Sequence, residues 1–156
     1  MREIYVYSGP TKSGKTTHLM QWAASQKNID GIFQPVIDGK RFLYHISSRT
    51  LRALETDDNE NSITIGNYKF SIDSFKWAGN LILKAVNDEL DWMIIDEIGP
   101  LELEGKGLEP VISKVFEIRK NYKFRIICVI REKLLDQFLA HYQLESTYQK
   151  FEVAQN

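Results

Sequence analysis

The run Gly9-Pro10-Thr11-Lys12-Ser13-Gly14-Lys15-Thr16-Thr17 constrains this chain more than any other stretch. It fits G-x-x-x-x-G-K-[ST] at every fixed position, a pattern that works only where a strand leads into it and a helix leaves it. Both flanks comply. Ile4-Tyr5-Val6-Tyr7 is β-branched and aromatic, as a strand requires, and Leu19, Met20, Trp22, Ala23 and Ala24 supply an apolar helical face. Gly9 and Gly14 let the backbone bend and approach an anion with no Cβ in the way. Successive N–H groups then point into one concavity, to which the helix start adds its positive dipole end. Residues 9–17 are therefore read as a phosphate cradle that binds a nucleotide. Lys15 reaches the β- and γ-phosphates, the Thr16 hydroxyl ligates Mg2+, and Thr17 contacts the α-phosphate.

Such a loop needs a metal-holding acid, and the chain offers one. Trp92-Met93-Ile94-Ile95 is continuously apolar, as a parallel strand buried on both faces should be, and it delivers Asp96-Glu97 at its carboxyl end. Ligands of open parallel sheets sit at the carboxyl ends of the strands, so Asp96 is expected to face the crevice of Lys15 and hold Mg2+. Glu97 is read as the group that orients or deprotonates the water attacking the γ-phosphate. A second apolar strand, 124–130, runs directly into Arg131. This arginine either answers charge on the γ-phosphate or is an exposed first-turn residue.

The remaining pattern alternates strands and helices. The first strand covers about 2–8 and its helix 15–26, which Asn28-Ile29-Asp30-Gly31 ends with turn residues. Runs 32–37 and 41–46 flank Asp38-Gly39-Lys40, a hairpin signal, and Pro35 demotes its strand to an edge or irregular position. The polar stretch 47–62 reads as a surface loop, and 63–70 as another strand or hairpin. Phe75, Ala78, Leu81, Ile82, Ala85 and Val86 share one helical face, as do Leu108, Val111, Ile112, Val115 and Phe116, with Pro110 in the first turn. A short helix over 132–140 and an edge strand within 147–153 close the list. The expected fold is α/β: a P-loop NTPase with three α/β/α layers and a mainly parallel sheet extended by an antiparallel hairpin.

A chain of 156 residues is expected to form one domain, residues 1–156. A net charge of −1 with scattered basic residues gives no electrostatic footprint for nucleic acid or an anionic membrane. The lone Cys128 excludes a disulfide framework and a cysteine-based zinc site, and His18, His45 and His141 have no metal-ligand spacing. No apolar run approaches the roughly 18 residues that span a bilayer. Met1-Arg2-Glu3 leads straight into the first strand, which leaves no signal peptide, so a cytoplasmic protein is expected. Trp22, Trp77 and Trp92 are read as core.

Asp96-Glu97-Ile98-Gly99-Pro100-Leu101-Glu102-Leu103 resembles the D-E-I-G-x-[ML]-E-L signature of a small P-loop nucleoside-triphosphatase family, known from thermophiles and as the cancer-related nucleoside-triphosphatase. The position of the phosphate loop, Gly31-Ile32-Phe33 and the segment Asp38-Gly39-Lys40-Arg41-Phe42 also look like that family, so the likeness spans about residues 2–131. The chain departs from the pattern at Thr11-Lys12-Ser13, at Gln34 or Pro35 where a threonine is usual, and at Arg41 where a glycine precedes the phenylalanine. The resemblance implies slow hydrolysis of ATP, GTP and other nucleoside triphosphates. Glu102 completes the acidic motif; it either caps the helix that starts near Gly107 or pairs with a lysine, or it is catalytic. Arg41 and Arg49 either close over the nucleotide or lie on a polar surface. Two other readings stand beside the hydrolase: a small nucleoside or nucleotide kinase, and a nucleotide-dependent switch that works through a protein partner.

Overall fold

The structure, a computed structural model, describes residues 4–9 and 14–153. Ile4–Gly9 is β1 and Lys15–Ala24 is α1. Then follow β2 (Ile29–Phe33), β3 (Val36–Ile37), β4 (Lys40–His45), β5 (Thr50–Ala53), β6 (Ser62–Ile65), β7 (Tyr68–Ser71) and α2 (Ile72–Ala85). The second half holds β8 (Trp92–Ile95), α3 (Pro100–Leu103), α4 (Val111–Ile118), β9 (Arg125–Arg131), α5 (Leu135–His141) and β10 (Gln149–Lys150). The sheet runs β10-β1-β9-β8-β2-β4-β3. From β10 to β2 every pair is parallel, whereas β4 is antiparallel to β2, β3 and β5. A separate antiparallel hairpin, β6–β7, leads into α2.

The buried strands show why their sequences lack alternation. Along β9, Ile126, Cys128 and Ile130 face a core shared with Phe75, Ala78 and Ile82 of α2, Ile112 and Val115 of α4, and Phe138 of α5. Ile127 and Val129 face the opposite core, with Leu19 and Ala23 of α1. β8 divides the same way, Met93 and Ile95 against Trp92 and Ile94. With helices covering both faces, each residue of these strands must be apolar. Trp92 packs edge-on against Trp22 at 5.3 Å, and Phe151 stands 4.9 Å from Trp22, which anchors the far end of α1 to the last strand.

Two expectations need correction. Ile29, Asp30 and Gly31 do not end a helix as turn residues; they lie in β2, parallel to β8 with Gly31 opposite Ile94. Gly31 is there because the two backbones nearly touch: a Cβ on it would lie 2.1 Å from the Ile94 carbonyl oxygen, at φ +140°. The polar stretch 47–62 is also not all loop, since Thr50–Ala53 pairs with β4. All four residues of this edge strand are exposed, so no apolar alternation was needed. Elsewhere the Asp38-Gly39 turn joins β3 to β4 with φ 52° and 76°, the double left-handed geometry of a two-residue hairpin.

Gly31→Ala should destabilise the fold by about 2–6 kcal/mol, overpacking and backbone strain each costing about 1–3 kcal/mol. Urea unfolding measures this. A loss within about 0.5 kcal/mol, the effect of an ordinary surface change, would mean that β2 and β8 are not so closely apposed.

Candidate active site

Three strand ends and one helix start meet at the carboxyl edge of the parallel sheet. Gly9 closes β1 and lies opposite Arg131 at the end of β9, while Asp96 and Glu97 follow β8. Pro10, Thr11, Lys12 and Ser13 lie outside the described residues. Gly14, at φ 82°, turns the chain into α1, whose first residues are Lys15, Thr16 and Thr17. Among these, Lys15 is 7% exposed and its Nζ donates to the Gly9 carbonyl at 3.1 Å. The lysine lines the crevice expected of it but lies largely buried in its wall. Thr17 is exposed on the same crevice, which measures about 550 Å³.

Asp96 is 1% exposed. Its Oδ2 accepts from the Thr16 hydroxyl at 2.9 Å and from the Gln34 backbone N–H at 2.9 Å. Its Oδ1 is buried and accepts no hydrogen bond among the described residues. Burial pushes the carboxyl up to about 6, and the neighbouring Glu97 charge adds to this; the Gln34 and Thr16 donors oppose it. A buried carboxylate oxygen with no donor is costly unless something else answers it. A hydroxyl beside one carboxylate is a hard-oxygen set that suits Mg2+, which keeps several waters and takes few protein ligands. Thr16 and Asp96 therefore fit that ion. No cluster of three or more His, Cys, Asp or Glu that could hold a metal occurs among the described residues.

Glu97 carries backbone strain, at φ 54°. A left-handed non-glycine residue persists only where its surroundings hold it, and such residues gather at functional sites. Its Oε2 lies 3.5 Å from Arg131 Nε, with both side chains partly exposed in the crevice. Arg131 is thus no free surface arginine; it is paired beside Glu97 and shares the crevice with Lys15. Thr16 and Asp96 are in direct contact, and Lys15, Thr17, Glu97 and Arg131 face the same space.

Gln34 was not among the expected site residues, and Arg41 was read as either closing over the nucleotide or lying on a polar surface; both line this space. Gln34, just past β2, gives its N–H to Asp96 and accepts from Arg41 Nη1 at 3.3 Å through its Oε1. Arg41, which could have been a surface residue, is half-buried; its Cζ lies 5.6 Å from the Tyr68 ring centroid, and it lines the crevice. The signal for both was their position, since they stand where the chain departs from the resembled pattern. Arg49 does not line this crevice among the described residues.

Glu102 is a cap, but of α3 and not of a helix starting near Gly107, since α4 begins at Val111. It is 4% exposed; Oε1 accepts from the Gly99 N–H at 2.9 Å and Oε2 from the Leu108 N–H at 3.0 Å, tying α3 to the loop that follows it. Burial pushes its carboxyl up to about 7 against those two donors. The folded chain then holds this proton more tightly than an unfolded glutamate, ordinarily near 4.5. The stabilisation is present below about pH 4.5 and lost as pH rises through about 7. Glu102→Gln cannot titrate, so its stability deficit against the parent should shrink by up to about 3 kcal/mol between pH 4.5 and pH 8. Urea melts at both pH values test this, and a constant deficit would refute it.

A family model described as NTPase matches residues 4–156, nearly the whole chain. The chain belongs to this NTPase family. A curated relative, the nucleoside-triphosphatase THEP1 of Thermotoga sp. (strain RQ2), is 28% identical over 112 residues, which cover 69% of this chain and 64% of that protein's length. The crystal structure of THEP1 from the hyperthermophile Aquifex aeolicus superposes with a TM-score of 0.72 at 14% identity, covering 97% of this chain and 90% of that one. The NTPase-family fold is thus shared even where sequence has diverged.

Proposed function

We propose that the chain hydrolyses nucleoside triphosphates, ATP and GTP among them, to the diphosphate and phosphate with Mg2+. The observation that carries this reading is the Thr16–Asp96 hydrogen bond, beside a second carboxylate oxygen that accepts no hydrogen bond among the described residues. When bound, Mg2+ would neutralise charge on the β- and γ-phosphates. Lys15 exchanges the Gly9 carbonyl for phosphate oxygen. Glu97 holds water in line and accepts its proton, while Arg131 keeps Glu97 oriented and presents a positive charge to the γ-phosphate. A net charge of −1 supports free nucleotides, rather than nucleic acid or an anionic membrane, as partners. Among the described residues no helix is long and apolar enough to cross a membrane.

The test is phosphate release from a panel of nucleoside triphosphates with Mg2+ and with a chelator. Release that needs the metal and tolerates several bases is expected. Binding of triphosphates with no release under any metal condition would overturn the hydrolase and favour the switch.

A further inference from the structure

Past Glu97 and Arg131 the crevice opens into a second cavity of about 290 Å³. Ile65, Tyr68 and Phe70 of the β6–β7 hairpin line it, with Phe75 of α2 and Leu101 of α3. Gln34, Arg41, Tyr68, Glu97 and Arg131 line both spaces. Gly14, Lys15, Thr16 and Thr17 line only the first among the described residues. That division gives the second cavity a polarity. The helix start takes the α- and β-phosphates, the lysine reaches toward γ, and the acid beside the metal-holding aspartate stands at the γ-phosphate. The cavity therefore lies beyond the γ end of a bound triphosphate, away from the leaving diphosphate and from the nucleotide's own base.

We propose that this cavity holds a second substrate, a nucleoside-like molecule with a flat ring and a free hydroxyl, which takes the γ-phosphoryl group in place of water. The inference rests on the triphosphate site proposed above. Water alone needs no apolar chamber. This one is small for a ligand pocket, where about 300 Å³ is the lower end, and so suits a single ring system with a sugar-sized appendage. Its chemistry suits a ring: Tyr68 and Phe70 are stacked at 5.8 Å and 19°, and Phe75 meets Phe70 edge-on at 6.2 Å. Tyr68 is 45% exposed, so aromatic surface is available at the mouth. Polar groups share the lining: Arg41 Cζ stands 5.6 Å from the Tyr68 ring centroid, and Gln34, Glu97 and Arg131 line the cavity as well. Glu97 and Arg41 line both spaces, and Arg41 makes no ion pair among the described residues. In the step, the acceptor oxygen forms a bond to the γ-phosphorus, the bond from that phosphorus to the bridging oxygen breaks, its electron pair leaves with the nucleoside diphosphate, and the hydroxyl proton passes to Glu97.

The test follows label from γ-labelled ATP in the full chain with Mg2+, against a panel of purine and pyrimidine nucleosides. Ile65→Trp, which fills the second cavity from a residue that does not line the first, is assayed in parallel. The proposal expects a labelled nucleoside monophosphate from at least one acceptor. It also expects Ile65→Trp to cut that transfer at least tenfold while phosphate release to water stays within twofold. Ile65→Ala, which should leave the chamber open, should retain transfer and guards against a misfolded tryptophan variant. Phosphate release unaffected by every nucleoside, with no labelled acceptor, would overturn the acceptor site and leave the hydrolase standing. Transfer that Ile65→Trp leaves intact would overturn the location. Failure to bind ATP at all would remove the triphosphate site, and this proposal with it.

Discussion

Glu97→Gln should lower phosphate release by about 10²–10⁴-fold, the usual contribution of a positioned acid–base group, while triphosphate and Mg2+ still bind. The substitution keeps the shape of the side chain and its place beside Arg131, 3.5 Å away, but removes the basic oxygen. It also weakens the ion pair. For that reason the informative quantity is the split between kcat and KM rather than activity alone. Loss confined to kcat means the carboxylate acts in the transition state; a rise in KM at constant kcat means it only shapes the crevice. Single-turnover assays with calorimetry on the same variant measure both parts. Turnover at the parent rate would make Glu97 a structural carboxylate, and its left-handed backbone would then need another reason.

Lys15→Ala should weaken triphosphate binding by about 30–4,000-fold, the roughly 2–5 kcal/mol lost when one partner of a buried, hydrogen-bonded charge pair is truncated. In the free protein Lys15 Nζ meets the Gly9 carbonyl, a neutral acceptor that ends β1. Removing the ammonium deletes a largely buried cation and leaves the backbone of β1 and α1 in place, so the fold should survive. The pair of measurements is thermal unfolding without nucleotide, expected to stay close to the parent, and with nucleotide, where the ligand-induced rise should vanish. An unchanged calorimetric affinity for ATP would remove the phosphate-loop assignment.

The elements that hold these two residues were the easiest to read. β8 and the interior of β9 are covered on both faces, so their sequences are apolar runs, and Asp96, Glu97 and Arg131 stand out as the first polar residues after them. The other half of the crevice was harder to see, because its residues reach the site by tertiary pairing rather than by a local pattern. Gln34 follows β2, whose Asp30 and Gly31 look like turn residues although Asp30 is buried against His45 at 3.1 Å and Gly31 against β8. Arg41 begins a polar hairpin and becomes a wall residue only because β4 folds back antiparallel to β2. Glu102 sits in the acidic motif like a catalytic group, yet both of its oxygens are taken by backbone donors. Motif membership cannot separate those roles, whereas a count of hydrogen-bond partners can.

The sheet order has a consequence for how such a protein comes into being. β1, which carries the phosphate loop, lies between β9 and β10, both from the last third of the chain. A nascent polypeptide emerging from the ribosome therefore has its first strand in hand long before either neighbour exists. Until residues 125–131 arrive, β1 has no parallel partner within this sheet, and the Gly9–Arg131 register that aligns the crevice cannot form. Pairings of such long sequence separation are slow to close and leave apolar strand edges open meanwhile. Nucleotide binding should thus appear late and all at once during synthesis, as a property of the nearly finished chain rather than of its amino-terminal motif.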